Sequence, residues 1–139
     1  MQQLYPYLMF NGQCETALKF YEECLHGKIA FMMTYENTPI DMQAPTDWRK
    51  KISHATLAVG EFTLYGADVL PQHYQKPQGF ALQFNLNDSV EAERIFNALS
   101  KSGTIQMPLQ ETFWALRFGV LVDQFGISWH INCEKPVAD

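Results

Sequence analysis

The stretch ETFWALRFGVLVDQFGISWHINC, residues 111–133, decides the fold of this chain. Its apolar residues alternate with other residues, the alternation breaks at DQFG, residues 123–126, and it then resumes. Alternation with a period of two is typical of β-strands, and a short segment with Asp and Gly is typical of a tight turn. The stretch therefore predicts a β-hairpin whose second strand carries one histidine, His130. We assign the turn residues a structural role and no catalytic one.

The rest of the chain contains one unit twice. Residues 14–25 and 89–100 place apolar side chains at helical spacing, and Asp88 with Glu91 forms a capping box before the second helix. Strands are predicted at residues 4–10, 28–36, 52–59 and 62–65 in the first copy, and at 79–86, 104–107 and in the hairpin in the second. Five residues recur 76 positions later: Asn11 and Asn87, Glu15 and Glu91, Phe20 and Phe96, Gly27 and Gly103, Ile29 and Ile105.

This repetition predicts an α+β fold built from two strand-helix-strand-strand-strand repeats. The repeats span residues of about 3–70 and about 80–134, the polar segment 71–79 connects them, and together they form a single domain, 1–139. Residues 37–48, with two prolines and no periodicity, are predicted to form a loop. Each repeat has one apolar sheet face to bury, so we expect two facing four-stranded sheets that enclose a cleft, with the helices outside.

Period-two alternation also assigns side chains to the two faces of each sheet. Phe62 and Phe80 are predicted to pack under the helices. The cleft face is predicted to be aromatic, with polar groups that could orient a ligand. The members of this predicted face include Tyr5, Tyr7, Tyr65, Trp114, Gln83, Asn85 and His130.

Composition excludes several classes of protein. The chain has 139 residues, 47% of them hydrophobic, and a formal net charge of −5. The only basic cluster is RKK, residues 49–51, so we expect no nucleic-acid partner. The N-terminus lacks a basic segment followed by a long apolar run, so we expect neither a signal peptide nor a membrane partner. Three cysteines without a CxxC pair predict reduced thiols in a cytoplasmic protein.

Three stretches that span most of the chain carry a resemblance to a known family. They are YLMFNGQCETALKFY near the start, ISHATL in the middle and FNALSKSGTIQMPLQETFWALRFGVLVDQFGISWHINC at the end. The chain resembles the PhnB-like branch of the vicinal oxygen chelate superfamily, which includes glyoxalase I, the bleomycin-resistance proteins and extradiol dioxygenases. The pair MPLQETFW and DQFGISW is specific for that branch. The resemblance implies the paired-repeat fold, a homodimer and a small-molecule pocket, and it implies no particular reaction.

Metal enzymes of the superfamily place four ligands on the first and last strands of the two units. The positions that the resemblance carries over to this chain are Tyr5, Tyr65, Ala81 and His130. Only His130 is an ordinary ligand for a divalent metal, and a catalytic ion typically needs three protein ligands. We therefore expect no metal at this site and no cofactor. Members of the branch are sometimes labelled as a demethylubiquinone methyltransferase, but no GxGxxG loop follows a strand here to hold a nucleoside cofactor.

Two histidines are the candidate catalytic residues. His130 can contact a ligand, transfer a proton, ligate a metal or serve as a hydrogen-bonded residue of the pocket wall. His54 can be a second pocket histidine or a sheet histidine bonded to a neighbouring loop. Arg117 needs an acidic partner or an anionic ligand, and Asp68 and Asp123 are its candidate partners. The predicted ligand-binding residues are Tyr5, Tyr7, His54, Tyr65, Gln83, Trp114, Arg117 and His130.

Three functions remain open from the sequence. The first is metal-free binding or sequestration of a small molecule, as in bleomycin resistance. The second is a metal-dependent lyase, isomerase or dioxygenase with a non-standard ligand set that includes His54 and His130. The third is a metal-free acid-base enzyme that uses the same two histidines.

Overall fold

The computed structural model describes residues 2–38 and 46–136, which divide into two compact units. The units are Met1–Gln75 and Lys76–Asp139. The facing of the two sheets and their union in a single domain stay predictions. Of the predicted loop at residues 37–48, residues 39–45 lie outside the described residues. Neither helix in the described ranges is long and apolar enough to cross a membrane.

The first unit is a four-stranded sheet with one helix. Its elements are β1 (Tyr7–Phe10), α1 (Cys14–Leu25), β2 (Lys28–Thr34), β3 (Ile52–Val59) and β4 (Phe62–Asp68), with short 3-10 helices at Tyr35–Asn37, Thr46–Trp48 and Pro71–His73. The strand order is β1-β4-β3-β2. Strand β1 runs parallel to β4, whereas the other two pairs are antiparallel.

The second unit repeats this plan. Its elements are β5 (Leu82–Leu86), α2 (Ser89–Ser100), β6 (Thr104–Gln110), β7 (Ala115–Val122) and β8 (Ser128–Glu134). The strand order β5-β8-β7-β6 matches that of the first unit position by position, and β5 again runs parallel to β8. The predicted repeat and the hairpin within residues 111–133 are therefore confirmed.

Different hydrogen bonds cap the N-termini of the two helices. The Asp88 carboxylate accepts hydrogen bonds from the backbone N–H groups of Val90 and Glu91, as an N-cap residue should. The residue before α1, Gln13, makes no side-chain capping hydrogen bond. The backbone N–H of Cys14, the first residue of α1, donates instead to the buried carboxylate of Asp68, at 2.8 Å. The apolar stripe of each helix is buried on its own sheet, where Phe96 and Leu99 of α2 are 3% exposed or less.

Some predicted positions at the strand ends are wrong. Strand β1 begins at Tyr7, and Leu4 is 97% exposed. Phe62 and Phe80 do not pack under helices, since they are 77% and 53% exposed. Phe62 stands next to the β3–β4 turn, and Phe80 precedes the first residue of β5, so both lie at sheet ends that a twelve-residue helix does not cover. Strand β6 continues past Met107 through Pro108, which an edge strand tolerates.

Candidate functional site

The first sheet carries aromatic side chains on the face opposite α1. Leu8 and Phe10 of β1 are 2% exposed, and a Cβ at Gly66 of β4 would meet Cys14 and Leu18 of α1. These positions mark the helix-covered face. Residues that alternate with them lie on the other face, which we call the open face. The open face carries a group that we call the aromatic cluster: Tyr5, Tyr7, Phe31, His54 and Tyr65.

Strand register brings the aromatic cluster together around His54. Tyr7 and Tyr65 are direct partners in the parallel pair β1–β4, and His54 lies on the adjacent strand β3. The ring centroid of His54 is 5.4 Å from that of Tyr65, 5.8 Å from that of Tyr7 and 6.0 Å from that of Phe31. Tyr5 meets Tyr65 edge to face at 5.0 Å. Such distances are those of interacting aromatic pairs.

A hydrogen bond joins the two polar groups of the cluster. The Tyr7 hydroxyl lies 3.1 Å from Nδ1 of His54. Burial, and to a smaller extent negative charge at Cys14, raises the pKa of the Tyr7 phenol above its ordinary value. The phenol is protonated at neutral pH, so it donates to Nδ1 in the tautomer of His54 whose ring proton is on Nε2. The contact orients the imidazole and leaves Nε2–H for another acceptor.

The open face of the second sheet is polar at the corresponding strands. Gln83 and Asn85 of β5 pair in register with His130 and Asn132 of β8. Asn85 Oδ1 accepts hydrogen bonds from Gln83 Nε2 at 2.9 Å and from Asn132 Nδ2 at 3.2 Å. We call Gln83, Asn85 and Asn132 the amide cluster.

Aromatic rings lead from the surface to His130. Trp114 is 48% exposed and packs against Phe118 with ring centroids 5.3 Å apart. Phe118 meets the His130 ring edge to face at 5.5 Å. Phe118 is the register partner of Asn132, so these rings share the open face with the amide cluster. The arrangement combines a flat apolar surface with several hydrogen-bonding groups.

The structure gathers the predicted ligand-binding residues into two groups. Tyr5, Tyr7, His54 and Tyr65 meet within the first unit, and Gln83, Trp114 and His130 share one face of the second. Phe31 and Phe118 also belong to these faces and were missed, because neither stands out from its apolar neighbours in the sequence. His54 contacts Tyr7 of β1, across the intervening strand β4, rather than a neighbouring loop, which was one of its two predicted roles.

Arg117 is not brought together with the other predicted residues. Arg117 precedes Phe118 in β7, so its side chain lies on the opposite face of the strand, together with Gly119. Helix α2 covers this face, since a Cβ at Gly119 would meet Phe96 of α2. The Nε of Arg117 is 3.9 Å from the Glu93 carboxylate of α2. The predicted partners Asp68 and Asp123 are wrong. Both are buried, and their carboxylates accept backbone N–H groups.

The described residues contain no group of three or more His, Cys, Asp or Glu side chains that could hold a metal ion.

The strand register can be compared with the four ligand positions that the resemblance implies. Tyr65 pairs directly with Tyr7, and His130 with Gln83, whereas the implied positions Tyr5 and Ala81 precede these partners by two residues.

Comparisons with known proteins identify relatives along almost the whole chain. Residues 2–132 match the family model described as 3-demethylubiquinone-9 3-methyltransferase. The chain is 32% identical to Protein YjdN of Escherichia coli (strain K12) over an alignment of 143 positions, which covers 95% of this chain and 95% of that one. It is 42% identical to the solved structure of protein PA1353 from Pseudomonas aeruginosa, with a TM-score of 0.89 over 98% of this chain and 100% of that one.

A solved structure from Bacillus cereus is also similar to this chain. The putative 3-demethylubiquinone-9 3-methyltransferase, PhnB protein, from Bacillus cereus is 25% identical, with a TM-score of 0.80 over 95% of this chain and 99% of that one. Structures described as glyoxalase/bleomycin resistance protein/dioxygenase proteins, at 13% and 14% identity, share the fold alone.

Proposed function

This chain belongs to the PhnB-like family of the vicinal oxygen chelate superfamily, and we propose that it binds or sequesters a small planar molecule without a metal. The exposed aromatic cluster carries this proposal. Tyr7 is 45% exposed and Phe31 is 47% exposed, although both lie beside other rings. Contiguous exposed apolar surface is uncommon on a protein unless it has a binding role.

The chemistry of the cluster suits a planar ligand with a polar edge. Aromatic rings prefer stacked or edge-to-face contacts, each of which contributes about 0.5–1.5 kcal/mol beyond the burial of area. The Tyr7 hydroxyl and the His54 ring add hydrogen-bonding groups within this apolar surface. The open face of the second unit carries hydrogen-bonding groups of its own, Gln83 and His130. A homodimer in the cytoplasm belongs to the same proposal, on the strength of the family resemblance.

A screen of planar aromatic compounds tests the proposal. A compound that binds the native protein raises its Tm, and titration calorimetry then gives the Kd. We expect Tyr65→Leu to weaken binding about three- to tenfold, since it removes one aromatic contact. Phe62→Leu is the matched control, because Phe62 is an exposed aromatic residue of the same strand outside the cluster. A screen without hits, or equal losses in both variants, would contradict the proposal.

The Tyr7–His54 contact supports a second candidate, a metal-free acid-base enzyme. A phenol bonded to an imidazole can hold and move a proton near neutral pH. In that case, turnover of a compound from the screen should persist in EDTA and follow the titration of a histidine. Tyr7→Phe keeps the ring and removes the hydroxyl, so it should lower kcat more than it raises KM. A flat pH profile, or turnover lost in EDTA, would argue against this candidate.

A further inference from the structure

The amide cluster contains a buried acceptor without a partner. Asn132 is 8% exposed, and its Oδ1 makes no hydrogen bond to any group in the described ranges, 2–38 and 46–136. Leaving such an acceptor unpaired is costly, so a buried polar atom of this kind usually has a partner from outside the chain. The half-buried His130 ring lies in the next row of the sheet, beside Gln83.

The hydrogen-bond pattern determines which atoms the cluster offers. An amide oxygen accepts two hydrogen bonds, and Asn85 Oδ1 already accepts two, from Gln83 and Asn132. Both neighbours must turn their NH2 groups toward Asn85. Their oxygen atoms therefore point away from Asn85, and the cluster offers Gln83 Oε1 and Asn132 Oδ1 as acceptors beside the NH2 group of Asn85.

We infer that the open face of the second unit holds a subsite for the hydrogen-bond donors of a neutral planar ligand, such as a carboxamide or lactam N–H. The inference rests on the proposed function and names its ligand class. The two acceptors would repel a carboxylate, and the cation of this sheet, Arg117, lies on the opposite face beside Glu93. Trp114, which is 48% exposed and packs on the buried Phe118 ring, supplies the flat apolar surface against which the ring of the ligand would lie.

Three matched probes test the inference. Benzamide carries two N–H donors, acetophenone has the same shape with an acceptor only, and benzoate is an anion. Their Kd values are measured by titration of 15N-labelled protein, with the side-chain NH2 signals of Asn85 and Asn132 as local reporters. We expect benzamide to bind about three- to tenfold more tightly than acetophenone, as one or two neutral hydrogen bonds would produce. Benzoate should bind most weakly.

Two variants test which side chains cause the preference for benzamide over acetophenone. Gln83→Met and Asn132→Leu each remove one acceptor and should reduce the preference for benzamide toward unity. Gln106→Met is the matched control, since Gln106 is an exposed glutamine of β6 and should leave the preference unchanged. If Asn132→Leu does not fold, the exposed position Gln83 decides the result.

The outcomes separate this inference from the proposed function. Equal binding of benzamide and acetophenone, or a preference unaffected by Gln83→Met, overturns the donor subsite. In that case, compounds that bind and lose affinity in Tyr65→Leu leave the proposed function standing. If the screened compounds also fail to bind, both are refuted.

Discussion

Removal of the Asp123 carboxylate is expected to destabilise the second unit strongly. Asp123 is 3% exposed and stands at the turn between β7 and β8. Its Oδ1 accepts the backbone N–H groups of Phe125 at 2.8 Å and Ile127 at 3.1 Å, and its Oδ2 accepts Nε1–H of Trp129 at 2.8 Å. One side chain therefore satisfies three buried donors and holds the hairpin that positions His130.

The size of the effect follows from these three donors. A buried donor that loses its partner costs about 1–3 kcal/mol, so Asp123→Ala could cost between about 3 and 9 kcal/mol. We expect a value near the lower end, about 3 kcal/mol, because the adjacent Gln124 is exposed and water can reach part of the turn. That is a large share of the roughly 5–15 kcal/mol by which a domain is stable.

Urea unfolding, followed by tryptophan fluorescence and far-UV circular dichroism, measures the change. Asp123→Asn should fall between wild type and Asp123→Ala, because its single oxygen can still accept the two backbone N–H groups while its NH2 faces the Trp129 indole. Gln124→Ala is the control and should change the free energy of unfolding by no more than about 0.5 kcal/mol. A loss below about 1 kcal/mol for Asp123→Ala would refute the reasoning.

Three further predictions concern packing, thiols and pH. A Cβ at Gly119 would lie 2.5 Å from the Phe96 ring. Gly119→Ala should therefore lower the free energy of unfolding by about 1–3 kcal/mol in a urea titration, with partial recovery on adding Phe96→Leu. Burial raises the pKa of the Cys14 and Cys133 thiols, so Ellman's reagent at pH 8 should react with them only after unfolding. Burial also raises the pKa of Asp68 above its ordinary value of 3.8, against its backbone hydrogen bonds, so protonation of Asp68 costs less in the folded than in the unfolded chain. The stability of wild type relative to Asp68→Asn should be greatest below pH 3.8 and fall as pH rises through the folded-state pKa, and no fall in urea titrations over that range would contradict the shift.

Local patterns predicted the helices well, because each apolar pattern extends over twelve residues. Both helices have the bounds predicted from their apolar spacing, residues 14–25 and 89–100, because a twelve-residue amphipathic pattern has one favourable conformation against a sheet. The ends of the strands were less predictable. The alternating pattern already includes Leu4 and Phe80, although the paired strands β1 and β5 begin only at Tyr7 and Leu82. Only pairing with a neighbouring strand determines where a strand begins.

The candidate site was predictable as two sets of alternating residues but not as contacts. Period two placed Tyr5, Tyr7 and Tyr65 on one face, since neighbouring side chains of a strand point to opposite faces. Arg117 could not be assigned in this way, because both faces of β7 are apolar and the register with β8 shifts between Ala115 and Arg117. Its partner, Glu93, comes from the helix.

The sequence by itself determined the repeat, the two helices, the alternation of the strands and the family. These follow from local spacing and from residues that recur within one chain. Only the tertiary structure decided that Asp68 caps a helix 54 residues away, that Tyr7 bonds His54 and that Asn132 holds an unpaired oxygen. Such contacts depend on strand register and on the burial of individual atoms, and neither quantity is a property of a residue and its neighbours along the chain.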